Sequence, residues 1–255
     1  MTLGMTERPR VAVIGAAGRM GIEACAAVDA ADDLDLVARL GSGDSLDLLV
    51  ASGAAVAVDL TRPDAVMQTT RFCIDAGIHL VIGTSGIDAD RLAEISGLLG
   101  DAPTVGVVVV PNFAIGAVLA MRFARQAAPF FAGVEVVELH HAGKADAPSG
   151  TAAATARGIG AARAAAGSAA MPDATVSDPS GARGGVVDGV HVHSIRLPGL
   201  VAHQEVLLGG EGELMTIRHD SLHRASFMPG VLLALRQAPL RPGLTHGLEP
   251  LLGLD

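Results

Sequence analysis

Tryptophan and tyrosine are absent from these 255 residues, cysteine occurs twice and lysine once. Without Trp or Tyr, aromatic platforms for stacking nucleic-acid bases are scarce. A formal charge of −9 argues further against general nucleic-acid binding, so no such partner is expected. No apolar run approaches the ~20 residues of a membrane-spanning helix, and the opening "MTLGMTERPR" lacks the apolar stretch of a signal peptide. No membrane partner is expected either. Cys25 and Cys73 sit in apolar, helix-like surroundings and read as core residues in a reducing compartment, which points to the cytoplasm. Cysteine and carboxylate spacing offers no metal site, and none is expected.

What is present is an apolar chain, 50% hydrophobic, long enough for one large domain or two small ones. Its first ~110 residues alternate short apolar runs with helix-like segments, the pattern of βαβ units on a parallel sheet. Strands are expected at 10–15, 34–40, 54–60, 78–83 and 104–110, with helices at 20–31, 63–76 and 88–99. Beyond Pro111 the texture changes. A helix is expected over 113–131, a strand over 134–140, an alanine-rich helix over 151–167 and a polar loop over 171–189. Segments 189–197, 200–209 and 213–219 read as neighbouring antiparallel strands, and 226–238 as a closing helix. The fold class expected is α/β: a Rossmann-like dinucleotide-binding domain followed by an α+β domain with a mixed sheet.

"GAAGRMG" puts Gly15, Gly18 and Gly21 between the first strand and a helix. Gly15 allows a tight turn, Gly18 lets a pyrophosphate approach the backbone, and Gly21 lets the helix pack on the sheet. The helix start adds N–H groups and a positive dipole end. The spacing is G-x-x-G-x-x-G rather than the commoner G-x-G-x-x-G, and a tight turn in a glycine-rich chain is the competing reading. "GTSG" (83–86) and "VPNF" (110–113) follow two more strands at the sheet edge that lines ligand crevices in open α/β folds.

"ELHHAGKADAPSGT" (138–151) gathers the other chemistry. Lys144 is the sole lysine in a chain that writes every other basic side chain as arginine. Lysine can release a proton and arginine cannot, so this position calls for an amine. His140 and His141 end a strand and should diverge. Asp146 could pair with Lys144 or orient the loop. Ser149 or Thr151 could cap the next helix, whose start around Gly150 and Thr151 suits an anion. A proton-donating histidine, an amine and an anion site suit reduction of a small carboxylated C=N or C=C substrate by a nicotinamide.

The stretch resembles the E-x-H-H-x-x-K-x-D-A-P-S-G-T-A signature of the bacterial dihydrodipicolinate reductases, which act on 4-hydroxy-tetrahydrodipicolinate. "VAVIGAAGRMG", "GTSG" and "PNFAIGAVL" resemble that family's cofactor motifs in the same order, over nearly the whole chain. "GLVAHQEVLLGGEGELMTIRHDSLHR" is closest to the shorter actinobacterial type. The resemblance implies reduction to tetrahydrodipicolinate with NADPH and/or NADH, in diaminopimelate and lysine synthesis, by a homotetramer joined through the second domain's sheet. It implies His140 and Lys144 as catalytic residues. It implies His141, Ser149, Gly150 and Thr151 as holders of a dicarboxylate ring. Cofactor contacts are implied for Gly15, Ala16, Ala17, Gly18, Arg19, Met20, Gly83, Thr84, Ser85, Val110, Pro111, Asn112 and Phe113. The implied domains are 1–114 with 224–255 for the dinucleotide and 115–223 for substrate and oligomerisation.

Two other readings compete: another NAD(P)-dependent imine or amino-acid dehydrogenase, and a non-catalytic dinucleotide sensor. A sensor has no use for the H-H-x-x-K set. On cofactor choice, Gly41 stands where some family members carry an acid, and Asp44 lies too far along the loop to replace it. Arg39 or Arg19 could reach a 2′-phosphate. The resemblance implies use of both cofactors, and without a carboxylate at 41 NADPH is expected to serve at least as well as NADH.

Overall fold

The computed structural model describes residues 8–254; residues 1–7 of the N-terminal stretch read above and Asp255 lie outside them. The chain divides into two compact units, one running to Phe113 and resuming at Phe227, the other Ala114–Ser226.

In the first unit β1 (Arg10–Ile14), α1 (Arg19–Asp29), β2 (Asp35–Leu40), α2 (Asp47–Ala51), β3 (Val56–Asp59), α3 (Val66–Asp75), β4 (His79–Ile82), α4 (Ala89–Leu99) and β5 (Gly106–Val109) alternate. The second unit holds α5 (Ile115–Ala127), β6 (Gly133–His140), α6 (Gly150–Ala165), β7 (Gly185–Val187), β8 (Val190–Arg196), β9 (Ala202–Gly210) and β10 (Glu213–Ser221). The chain then returns to the first unit with α7 (Met228–Gln237) and β11 (Gly243–His246).

The first sheet runs β11-β5-β4-β3-β1-β2, and its paired strands are all parallel. Every residue of β3 and β5 is buried, which explains their near-continuous Val/Ala runs. Each such valine contributes about 1.5–3 kcal/mol by leaving water. Cys73, at 0% exposure, belongs to this core, and burial pushes its thiol up to about 12. It is therefore an inert core group. Asp88 caps α4 by accepting the Arg91 N–H at 3.0 Å. The Rossmann-like reading stands, with two additions. α2 and β11 are too short for periodicity to separate them from turns: five residues with one buried leucine, and four on the sheet edge.

The second sheet is mixed, in the order β10-β9-β6-β8-β7. Here the expectation of three neighbouring antiparallel strands fails. β9 and β10 pair antiparallel, but β6 lies between β8 and β9, parallel to β8 and antiparallel to β9. The reason is connectivity. A strand followed by a 16-residue helix returns parallel to itself, as β6–α6–β8 does. The segment 171–189 also contains β7, paired antiparallel to β8. The helix expected over 113–131 is α5 followed by a 3₁₀ turn at Ala128–Phe130, where Pro129 cannot donate to the helical ladder. α5 and α6 pack on one face of this sheet through Val134, Val136, Val192 and Val206. Among the described residues no helix is long and apolar enough to cross a membrane.

Candidate active site

In the first sheet β5, β4, β3 and β1 are neighbours. The loops that follow them therefore meet at one C-terminal edge, bringing Gly15–Met20, Thr61, Gly83–Ser85 and Val110–Phe113 together. The glycine turn is specific in its demands. Gly15 has φ +83°, and a Cβ there would lie 2.7 Å from the Leu60 carbonyl oxygen. A Cβ at Gly21 would lie 2.1 Å from the Gly15 carbonyl oxygen, so α1 can approach the turn only with glycine at that point. Gly15 and Ala16 both donate their N–H to Leu40 O, at 2.9 Å. Donors for an anion thus come from the first turn of α1, beginning at Arg19 and Met20. Beside the turn lies a cavity of about 810 Å³ lined by Gly15, Ala17, Gly18, Gly41, Asp44 and Arg62, among others. A strand-end cavity against a glycine turn and a helix start fits a dinucleotide.

The other expected cofactor positions divide by side chain and backbone. Val110 and Phe113 are buried, and the Phe113 ring occupies the space a Cβ on Gly83 would need, with an approach of 2.4 Å. Gly83 thus lets the β4 and β5 loops close on each other. Thr84 turns its hydroxyl inward to Asp59 Oδ1 at 2.6 Å. That same oxygen accepts from the Thr61 N–H at 2.9 Å and the Thr61 hydroxyl at 2.6 Å. Asp59, fully buried at the end of β3, ties two of the edge loops together, a role sequence alone did not reveal.

The loop after β2 departs from expectation. Asp44 folds back on the strand end: its Oδ2 accepts the Gly41 N–H at 2.7 Å, and the residue lines the cavity. Arg39 pairs with Asp29 at 2.5 Å, at an exposed position, instead of extending from the strand end as a phosphate ligand.

In the second unit the motif residues gather around the end of β6. Val134 and Val136 point into the core, and alternation carries Glu138 inward and His140 after it. Glu138 is completely buried. Its Oε2 is hydrogen-bonded to His140 Nδ1 and accepts Arg196 Nη1 at 2.8 Å. Its Oε1 accepts Arg196 Nη2 at 2.7 Å and the Ser149 N–H at 3.1 Å. Burial alone would raise the Glu138 carboxyl; the hydrogen bonds of Arg196, then of Ser194 and His140, outweigh it and hold the group below its ordinary value. Burial lowers His140, and Glu138 offsets part of that.

Lys144 donates from Nζ to Asp146 Oδ1 at 2.7 Å, and this bond chiefly lowers the Asp146 carboxyl. The Gly150 backbone N–H adds to it, so a carboxylate already sits between the sole lysine and the start of α6. Ser149 caps α6, its Oγ accepting the Ala152 N–H at 3.2 Å. Gly150 and Thr151 form the helix's first turn. His141 lies past the strand end, its carbonyl accepting the Lys144 N–H at 3.1 Å. The structure thus brings His140, Lys144, Ser149, Gly150 and Thr151 to one cluster, and adds Glu138 and Arg196.

Comparisons with known proteins agree over the same chain. The family model for the dihydrodipicolinate reductase N-terminus matches residues 9–113, and that for its C-terminus matches 116–252. Two proteins named 4-hydroxy-tetrahydrodipicolinate reductase are similar along nearly their full length. That of Streptomyces griseus is 61% identical over 96% of this chain and 98% of its own. That of Nocardia farcinica is 59% identical over 96% and 99%. A solved structure described as dipicolinate-bound dihydrodipicolinate reductase from Paenisporosarcina sp. TG-14 superposes with a TM-score of 0.84 at 38% identity, covering 96% of this chain and 99% of that one. The chain belongs to the dihydrodipicolinate reductase family.

Proposed function

We propose that this protein reduces 4-hydroxy-tetrahydrodipicolinate to tetrahydrodipicolinate with NADH or NADPH, a step of diaminopimelate and lysine synthesis carried out in the cytoplasm. The reaction takes up one hydride and one proton and releases the ring hydroxyl as water. When bound, the nicotinamide supplies the hydride. The first unit offers the seat for it: the α1 start for the pyrophosphate, and the backbone of Gly83–Ser85 and Val110–Phe113 along the edge.

The second unit supplies the proton and the grip on substrate. His140, hydrogen-bonded through Nδ1, has Nε2 left to give a proton. Lys144 with the first turn of α6, at Gly150 and Thr151, suits a substrate carboxylate, which would replace the Asp146 carboxylate there. His141 and Ser149 complete the ring's surroundings. The observation that carries this reading is the cluster of Glu138, His140, Lys144 and Asp146 at the capped start of α6 in a chain of this family.

We also read the chain as a homotetramer assembled through the second sheet. The face opposite α5 and α6 carries Val137, Leu207 and Leu214, the last 68% exposed. Light scattering that finds a monomer at micromolar concentration would reject this part.

The test of function is loss of reduced-nicotinamide absorbance on adding substrate freshly formed from pyruvate and aspartate semialdehyde. His140→Ala and Lys144→Ala should each lower turnover ~10²–10⁴-fold while leaving NADH affinity nearly unchanged. Wild-type turnover in both variants would remove the assigned roles. No oxidation by the wild type would remove the reaction itself.

A further inference from the structure

We propose that Glu138 is a positioning residue that fixes the tautomer and charge of His140, with Arg196 locking Glu138 in place. The inference rests on the reading of His140 as proton donor and goes beyond it.

Glu138 lies two residues before His140 on β6, so both side chains leave the same face of the strand. Arg196 lies directly opposite His140 on β8. A carboxylate with no exposed surface is costly unless every lone pair is used. Here the partners are several, the Ser194 hydroxyl among them. Both Arg196 Nη atoms bind it as a fork, the Ser149 N–H binds Oε1, and the His140 ring binds Oε2. Arg196 is itself anchored by its bonds to the Asp146 carbonyl at 2.6 Å and the Ile195 carbonyl at 2.9 Å.

The consequence for the imidazole is chemical. An ionised carboxylate can only accept, so His140 Nδ1 must carry a hydrogen in the neutral and the charged ring alike. The exchangeable proton is then confined to Nε2. The ring cannot turn over to present Nδ1 without leaving Glu138 buried and short of a partner. The groups facing His140 are Glu138 on its own strand, Arg196 on β8, and Lys144 on the following loop, itself paired with Asp146. Lys144 and Arg196 oppose protonation of the ring. Glu138 is the group that favours it. Through the Ser149 N–H the same carboxylate also holds the residue that caps α6, so one side chain sets both the proton donor and the anion-binding turn.

The tautomer can be read without turnover. Nitrogen NMR of the wild-type protein with labelled histidine, at a pH where His140 is neutral, should find its proton on Nδ1. A proton on Nε2 would overturn the proposal with no variant needed. Glu138→Gln then removes the charge and keeps the shape. The alkaline limb of kcat/KM should move to lower pH by about one unit or more, because an adjacent opposite charge shifts a pKa by about 1–3 units. Turnover at neutral pH should fall about tenfold per unit of that shift, with unchanged NADH affinity. A lower rate whose limb stays in place would mark Glu138 as merely structural and overturn the proposal. Full turnover in His140→Gln is a separate outcome. It would overturn the proton-donor reading itself, and it leaves the NMR result to judge the tautomer.

Discussion

Glu138 and Arg196 form a forked pair across β6 and β8, with both carboxylate oxygens bound at 2.7 and 2.8 Å and the carboxylate fully buried. Removing one partner of such a pair leaves the other charge uncompensated, which costs about 3–5 kcal/mol. Arg196→Met should therefore destabilise the protein strongly, by urea unfolding. The double variant Glu138→Gln with Arg196→Met should recover most of that loss. Equal losses in the single and double variants would show that the pair contributes only packing.

The same pair gives a pH dependence with a definite sign. The Glu138 carboxyl is held below its ordinary value in the folded state, so its contribution is fully present above the unfolded pKa. It is lost as pH falls through the folded one. Wild type should lose stability on acidification below about pH 4, and Glu138→Gln should lose less over the same window. Parallel stability curves for the two would contradict this.

Ser149→Ala deletes the α6 cap, whose Oγ bonds the Ala152 N–H. A lost serine cap costs about 1 kcal/mol, seen as a modest drop in melting temperature. KM for substrate should rise as well, because the capped turn is also the anion site. A rise in KM without any loss of stability would mean that the hydroxyl serves substrate alone.

Much of this architecture was legible because its signals are local. Gly15, Gly18 and Gly21 announce a strand–turn–helix unit, and the backbone contacts they relieve are the ones those spacings demand. Lys144 stood out by being the only one of its kind. What escaped was non-local. β6 enters between β8 and β9 because of how α6 returns the chain, which alternation along each strand cannot express. Glu138 could have been found: Val134 and Val136 point inward, so the acid at 138 must too, and a buried acid needs a cation. Arg196, 58 residues away, supplies it, and no spacing connects the two. The position of Asp44 escaped for the same reason: its carboxylate folds back onto the Gly41 N–H across the turn, a contact that spacing along the chain does not express.

A planar dianion should compete with substrate. Lys144 and the α6 start now hold one internal carboxylate, that of Asp146. Pyridine-2,6-dicarboxylate should inhibit competitively and pyridine-2-carboxylate far more weakly, because each lost charge-assisted bond is worth about 1.5–3 kcal/mol. Asp146→Asn, which weakens the internal competitor, should tighten the dicarboxylate. Equal inhibition by the two acids would show that the pocket does not recognise two carboxylates.

The cofactor choice turns on Asp44, which competes with the expectation drawn from Gly41. A dinucleotide-binding unit of this kind selects at the end of its second strand, where an acid takes the ribose hydroxyls and repels a 2′-phosphate. This chain has no acid at 41, but Asp44 lines the cavity and folds back so that its Oδ2 lies 2.7 Å from the Gly41 nitrogen. Two of the cations nearby are paired, Arg39 with Asp29 and Arg62 with Asp64 at 3.2 Å, while Arg19 is exposed at the start of α1. A 2′-phosphate bound in this cavity would meet like-charge repulsion from Asp44 if the two lie within a Debye length, roughly 8–10 Å, of each other. A repulsion of about 1.4 kcal/mol would make a tenfold preference. Wild type should therefore bind NADH more tightly than NADPH by fluorescence titration, and its kcat/KM should follow the same order. Asp44→Asn should bring NADPH up about tenfold and leave NADH little changed. Gly41→Asp should strengthen the NADH preference, its added Cβ lying 3.6 Å from Asp44 Oδ2, an ordinary contact. If Asp44→Asn leaves the NADPH-to-NADH ratio unmoved, the carboxylate does not face the 2′ position; a wild type that uses NADPH at least as well as NADH would bear out the expectation drawn from Gly41 instead.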